Sequence, residues 1–427
     1  MINSLIGVLG CGGAGVRWTP LPKAPEGSAI RGAAAPTEPA GETAPRINTS
    51  GFVQTSKSYL FSVSLYIVKA VRYLTENKTD IKSMNEQELK AMLTEMGQPG
   101  FRSGQVYKWL HQGVKSFDEM TNIPAALRQK LVENCYISHA AIEKKLISAY
   151  DGTVKYLFSF ADGETVESVV MKYHHGHTSC VSTQVGCKMG CDFCATGKSG
   201  FRRNLTASEI LSQIQTEQED NGIRISNIVL MGMGEPLDNY DNVIRFLELV
   251  SSEHGLNIGM RHISLSTCGI VPRIYELAEK KLQLTLSVSL HAPNDEIRSR
   301  TMPVNRKYPV AELLRACRYY AEKTGRRISF EYAMIDGVND SDECARELAG
   351  RIKGMLAHVN LIPVNSVSGS DYRKSRGDRL KSFVQILERS GITATVRRTL
   401  GSDINASCGQ LRSSAAGNNK AKGEIVQ

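Results

Sequence analysis

The sequence predicts an α/β fold built on a parallel sheet, preceded by a small helical domain and an antiparallel β-meander. Beyond about residue 176, strand-like runs alternate with helical runs about six times, the pattern of a parallel sheet joined by right-handed crossovers. Between 141 and 175, two Asp-Gly turns divide alternating apolar runs, and between 80 and 140 apolar residues recur at helical spacing. At 427 residues the chain has room for a barrel-sized domain of roughly 250 residues plus smaller pieces.

Residues 1–57 read as a disordered extension, because a stretch such as TPLPKAPEGSAIRGAAAPTEPAGETAP lacks the large apolar side chains that would order it. GCGGAG at 10–15 has neither the Lys-Ser/Thr ending nor the full spacing of a phosphate loop, and no charged n-region precedes a long apolar stretch as in a signal peptide. Residues 58–79 form an amphipathic segment of unassigned role. In 80–140, MNEQELKAMLTEMG stops at Gly97, FRSGQVYKWLHQG stops at Gly113, and FDEMTNIPAALRQKLVENC carries a third amphipathic run. Arg102, Lys108, Lys115, Arg128 and Lys130 make this small domain basic, suited to RNA contact or to a solvated surface. The meander follows over 141–175, and HHGH at 174–177 reads as a polar loop.

The core spans 176–412, with a flexible tail at 413–427. Its strands are CVSTQV (180–185), NIVLMG (227–232), HISLST (262–267), LTLSVSLH (284–291), ISFEYAMI (328–335) and HVNLIPV (358–364). Helices are expected near 206–219, 241–252, 271–280, 310–325, 340–354 and 377–390. In such a sheet the functional residues belong at the carboxyl ends of strands. There the sequence places Gly234 and Glu235, Ser266, Ser289-Leu290-His291, and Asn365, which together form a candidate cofactor cradle.

Four of the ten cysteines fall in CVSTQVGCKMGCDFCATG. Cys187, Cys191 and Cys194 can be turned by one loop onto a single inorganic centre. A closed zinc site takes four ligands, whereas three thiolates on a four-iron cluster leave one iron open for chemistry. The run alone also admits a disulfide framework or a zinc knuckle with a distant fourth ligand.

The C-x3-C-x2-C run, with Phe193 before its last cysteine, resembles the signature of radical S-adenosylmethionine (SAM) enzymes. That resemblance implies a partial (β/α)6 barrel, one [4Fe-4S] cluster on Cys187, Cys191 and Cys194, and SAM chelated at the open iron. It also implies SAM contacts from Gly234, Glu235, Ser266, Ser289, Leu290, His291 and Asn365. Joined with GMGEPL, SLHAPND, and Cys180 paired with Cys408 in RRTLGSDINASCGQLR, the pattern resembles the RNA adenine carbon-methylating branch over residues 80–412. The branch acts on carbon 2 of adenine in large-subunit (23S) ribosomal RNA and in the anticodon loop of transfer RNA. A sibling acting on carbon 8 shares both cysteines, and a non-catalytic iron-sulfur RNA-binding protein is the third reading. The resemblance further implies that Cys408 carries the methyl group, Cys180 resolves the covalent RNA adduct through a disulfide, Glu167 accepts a proton, and two SAM are used per turnover. An external electron donor and a thiol reductant are implied as well, and the protein is expected to be a monomer.

The net charge of +9 and pI near 9.0 suit a polyanionic partner. Arg202, Arg203, Arg326, Arg327, residues 372–379, Arg397 and Arg398 are the candidate RNA contacts. No run reaches the roughly 18 apolar residues of a membrane span, and cysteines at ligand spacing suit a reducing cytoplasm.

Overall fold

The computed structural model describes residues 78–365 and 370–411. The expected extension at 1–57, most of the amphipathic segment and the tail at 413–427 lie outside the described residues. The first described elements are β1 (Thr79–Asp80) and three helices, α1 (Glu86–Glu95), α2 (Phe101–Gln112) and α3 (Ala125–Asn134). Helix α1 begins with a capping box in which Asn85 and Glu88 satisfy each other's backbone N–H, and α2 stops where Gly113 turns left-handed at φ 90°. Leu89, Leu93, Val106, Leu110, Leu127 and Leu131 are buried along the inner faces. The parallel pairing of β1 with β2 (Cys135–Tyr136) was not legible from the sequence.

Strands β3 (Ala141–Ile147), β4 (Val154–Ser159), β5 (Thr165–Tyr173) and β6 (Gly176–Cys180) pair antiparallel in succession. The meander is continuous with the core, because β6 also pairs in parallel with β9 (Ile225–Leu230). Before β9 come the short ribbon β7 (Gln184–Gly186), helix α4 (Ala195–Lys198), β8 (Phe201–Asn204) and α5 (Ala207–Asn221). The chain then alternates through α6 (Tyr240–Ser251), β10 (Ile263–Thr267), α7 (Val271–Glu279), β11 (Thr285–Ser289), α8 (Asp295–Thr301) and α9 (Val310–Thr324). It finishes with β12 (Ile328–Met334), α10 (Asp342–Ile352), β13 (Ala357–Pro363), α11 (Gly377–Arg389) and β14 (Ala394–Val396). The sheet order is β14-β13-β12-β11-β10-β9-β6-β5-β4-β3, parallel from β14 to β6. The predicted partial barrel with helices after its strands is therefore present.

Three expectations are corrected. The first parallel strand ends at Cys180 instead of starting there. Beyond it, Gln184–Gly186 leaves the sheet and pairs antiparallel with β8, so that the cysteine run becomes the loop of a separate ribbon. Two glycines make that crossing possible. A Cβ on Gly232 would lie 2.6 Å from the Val181 carbonyl oxygen, and one on Gly186 would meet Gly200 backbone oxygen at 1.8 Å. HHGH is not wholly a loop, since His174 and His175 turn the chain while His177 is already in β6. Finally, β14 is a three-residue edge strand, too short to give a periodic signal.

The small helical unit is held to α5 by polar contacts as well as apolar ones. Buried Lys82 donates to Gln215 Oε1 at 2.9 Å, and Gln215 Nε2 donates to the Leu110 carbonyl at 2.9 Å. His111 lies 4.2 Å from Tyr107, ring to ring, under Gly255, where a Cβ would come within 2.6 Å of its Nδ1.

Candidate active site

The carboxyl ends of the parallel strands open into a cavity of about 170 Å³. It is lined by Cys187, Cys191, Cys194, Gly234, Glu235, Ser266, Ser289, His291, Asn365 and Cys408. Ten of the residues singled out in the sequence thus meet at one chamber. The three others of the expected SAM and catalytic set, Leu290, Cys180 and Glu167, are buried outside its lining. Leu290 is buried in the core and contributes its backbone, while Cys180 lines a smaller adjoining cavity.

The cysteine loop is short and sharply turned. Cys194 N–H donates to the Cys191 carbonyl at 3.2 Å, and a Cβ on Gly197 would lie 2.9 Å from that oxygen. Burial pushes the Cys187 thiol up to about 12 and the Cys191 thiol up as well, and neighbouring cysteines add to both shifts. Clustered buried thiols ionise together only if a cationic centre shares the loop, which fits thiolate ligation. Among the described residues no three His, Cys, Asp or Glu side chains converge on one ion. A single zinc would need every sulfur at about 2.3 Å, whereas an iron-sulfur cluster spreads its ligands over separate irons.

Strand ends opposite the loop are fixed by buried side chains. Glu235 accepts Cys268 N–H at 2.7 Å and Leu237 N–H at 3.0 Å, and burial raises its carboxyl above the usual range despite these bonds. Arg298, fully buried, donates to the carbonyls of Leu290 (3.1 Å), Cys268 (2.6 Å) and Ser289 (3.1 Å) and to Asn305 Oδ1 (3.0 Å). One guanidinium therefore ties the ends of β10 and β11. His291, at φ 55°, accepts Ala333 N–H on Nδ1 at 2.9 Å, and burial, aided by the Arg298 charge, lowers it to about 3. The ring is neutral at physiological pH and packs edge-on against Phe193 at 4.9 Å.

Cys408 lies on a segment that returns to the chamber after β14. Lys155 Nζ donates to the Asn405 carbonyl at 3.0 Å, Asp403 accepts from Ser148 Oγ at 2.7 Å, and Gly401 N–H donates to Asp151 at 2.9 Å. Farther on, Ala195 N–H donates to the Gly409 carbonyl at 2.8 Å, Thr196 Oγ1 to the Leu411 carbonyl at 2.6 Å, and Asn365 Nδ2 to the Cys408 carbonyl at 3.0 Å. The segment is thus pinned to the meander at one end and to the cysteine loop at the other.

Cys408 borders both cavities, with Met231, Ile362, Asn365 and Arg397. Both Cys180 and Cys408 are free thiols, and burial pushes Cys180 up to about 12. Glu167, on β5, lines neither cavity. It is buried beside Lys155 at 3.0 Å, two residues from Val169 in the smaller cavity and so on the same face of the strand.

Glu331 and Arg397 are cavity residues whose roles the sequence did not reveal. A lone acid in the apolar run ISFEYAMI was the available signal for the first. Arg397, an expected RNA contact, lines both cavities. Arg203, another expected contact, is bound by Asp162 and Glu209 at 2.5 and 2.7 Å.

Residues 181–349 match the Radical SAM superfamily, and residues 79–137 match the ribosomal RNA large subunit methyltransferase N-terminal domain. A protein of Alkaliphilus oremlandii (strain OhILAs), named as a probable dual-specificity RNA methyltransferase RlmN, is 57% identical over 335 residues, which cover 78% of this chain and 98% of that protein. One of the same name from Clostridium tetani is 53% identical, over 80% of this chain and 98% of its own length. The crystal structure of a radical SAM methyltransferase from Sphaerobacter thermophilus superposes with a TM-score of 0.75 at 44% identity, covering 78% of this chain and 99% of that one.

Proposed function

The chain belongs to the family of RlmN-type dual-specificity radical SAM RNA methyltransferases, and on that premise we propose that it methylates carbon 2 of an adenine in large-subunit (23S) ribosomal RNA and in the anticodon loop of transfer RNA. The observation that carries this reading is the place of Cys408 between the two cavities, one holding the three cysteines and the other Cys180. Carbon 2 of adenine is electron-poor and has no lone pair, so it cannot attack a sulfonium methyl directly. A methyl carried on protein removes that obstacle.

One [4Fe-4S] cluster on Cys187, Cys191 and Cys194, with SAM, supplies both the methyl group and a hydrogen-abstracting radical. Gly234, Glu235, Ser266, Ser289, Leu290, His291 and Asn365 form the cradle that orients the cofactor. Cys408 accepts the methyl as a thiolate and, once a hydrogen is taken from that methyl, its carbon bonds to the base. The adduct would return one electron to the oxidised cluster and lose the carbon-2 proton, with Glu167 as proton acceptor and Lys155, 3.0 Å away, orienting it. Cys180 then attacks the Cys408 sulfur. A disulfide forms, the carbon-sulfur bond breaks with its electron pair on carbon, and that carbon takes a proton to become methyl. Cellular thiols reset the pair, and an external donor supplies the electron for SAM cleavage. The target base must leave its stack to enter the chamber, which favours loops over duplex. A reducing cytoplasm fits these needs.

Mass spectrometry of adenosines from ribosomal and transfer RNA treated with the anaerobically reconstituted protein tests the reading. The expected product is 2-methyladenosine. 8-Methyladenosine alone, or no methylated adenosine from a SAM-cleaving preparation, overturns it.

A further inference from the structure

We propose that Arg397 is the cation that stabilises the Cys408 thiolate for methyl acceptance, an inference that rests on the carrier role given to Cys408 above. Arg397 follows β14, its backbone N–H donates to the Leu361 carbonyl at 2.9 Å, and its side chain is 22% exposed. Arg397 lines both cavities, as Cys408 does, and Cys180 shares the smaller one with them.

Its other neighbours leave much of its hydrogen-bonding capacity unused. Both terminal nitrogens lie 3.5 Å from the Met231 thioether, a weak acceptor. The nearest carboxylate, Glu331, stands 3.6 Å off, beyond the about 2.7–2.9 Å of a charge-assisted bond. That carboxylate is already engaged, accepting from Ser329 at 2.9 Å and Asn360 at 2.8 Å. A structural salt bridge would close this gap. An arginine held in a cavity with weak or distant partners is suited instead to an anion that forms there during work. The Cys408 sulfur is the largest influence holding the proton on Arg397 more firmly than usual, with Glu331 and Cys180 adding to it.

The step balances simply. The Cys408 thiol loses its proton to water and the thiolate attacks the SAM methyl. A sulfur-carbon bond forms on Cys408, the methyl-sulfonium bond breaks, and its electron pair returns to the leaving sulfur as a neutral thioether. Arg397 offsets the charge present before attack and consumed by it.

The test is the rate at which unmethylated Cys408 reacts with iodoacetamide from pH 6 to 10, read by peptide mass spectrometry on full-length, cluster-reconstituted protein without SAM or RNA. In Arg397→Gln the rate at pH 7.5 should fall by ~10-fold and rejoin that of the parent near pH 10, as expected for a lost thiolate-stabilising charge. Arg397→Lys should recover most of the rate. A Gln profile that superposes on the parent overturns the proposal. So does a loss equal at every pH and shared by the Lys variant, which would mark a packing role. Native protection of buried Cys317 in the same digest shows that each variant is folded. Because no RNA is present, a shifted profile in a protein that makes no methyladenosine would uphold the thiolate inference while rejecting the function proposed above.

Discussion

Cys180 and Cys408 are both cysteines bordering one small cavity, yet their proposed chemistry assigns them opposite tasks. Removing a carrier prevents the bond to RNA from forming, and removing a resolving thiol prevents it from breaking. Cys180→Ala should therefore methylate Cys408, couple to RNA and stop, leaving a nuclease-sensitive shifted band on a denaturing gel. Cys408→Ala should give no such band. Normal turnover by Cys180→Ala, or the same adduct in both variants, would defeat the two-cysteine scheme. Sequence spacing revealed the three cysteines of the loop because one turn holds them together. The convergence of Cys180 with Cys408 came from resemblance, since no local pattern connects residues so far apart. Arg397 shows the limit of composition. A charged residue at a strand end reads as surface until the cavities it lines are known.

At the scale of elements, the joint between α2 and the barrel carries the clearest pH signature. Burial, aided by the Lys82 charge, lowers His111 from 6.5 to about 4, and its Nδ1 has no hydrogen-bond partner. Between those values the unfolded chain binds a proton that the folded chain refuses, so stability is present above 6.5 and is lost as pH falls toward 4. Thermal unfolding from pH 7 to 4 should be less pH-dependent in His111→Phe, by about 3 kcal/mol across the window. Unchanged pH dependence would show that the ring titrates freely. His291, lowered to about 3, adds a similar slope that is common to both proteins and cancels in the comparison. The elements themselves were largely legible, because 3.6-residue and two-residue periodicities survive in long helices and paired strands. The first parallel strand was displaced because CVSTQV alternates like a strand while Gly232 and Gly234 draw the neighbouring backbone close enough to redirect it; a Cβ on Gly234 would meet Gln184 at 2.6 Å. That is long-range packing, invisible in a local window.

For the whole molecule, the relatives supply a measure of what the fold needs. The Alkaliphilus protein is covered to 98% by 78% of this chain, so the remainder has no counterpart there. Deleting residues 1–57 should leave SAM cleavage and RNA methylation within about twofold of the full chain, since that stretch of sequence is poor in the large apolar side chains a core needs. Lost activity in a folded, cluster-loaded truncation would contradict this. The segment bearing Cys408 has the opposite standing. It bonds to the cysteine loop through Gly409 and Leu411, and those residues are among the last of the core to be synthesised. A chain that ends before Cys408 lacks both the cysteine proposed to accept the methyl group and two of the bonds that hold the loop. The same fastening thus sets an order of assembly, in which two of the bonds to the loop proposed to support the radical source form only after the cysteine proposed to carry the methyl group has been made.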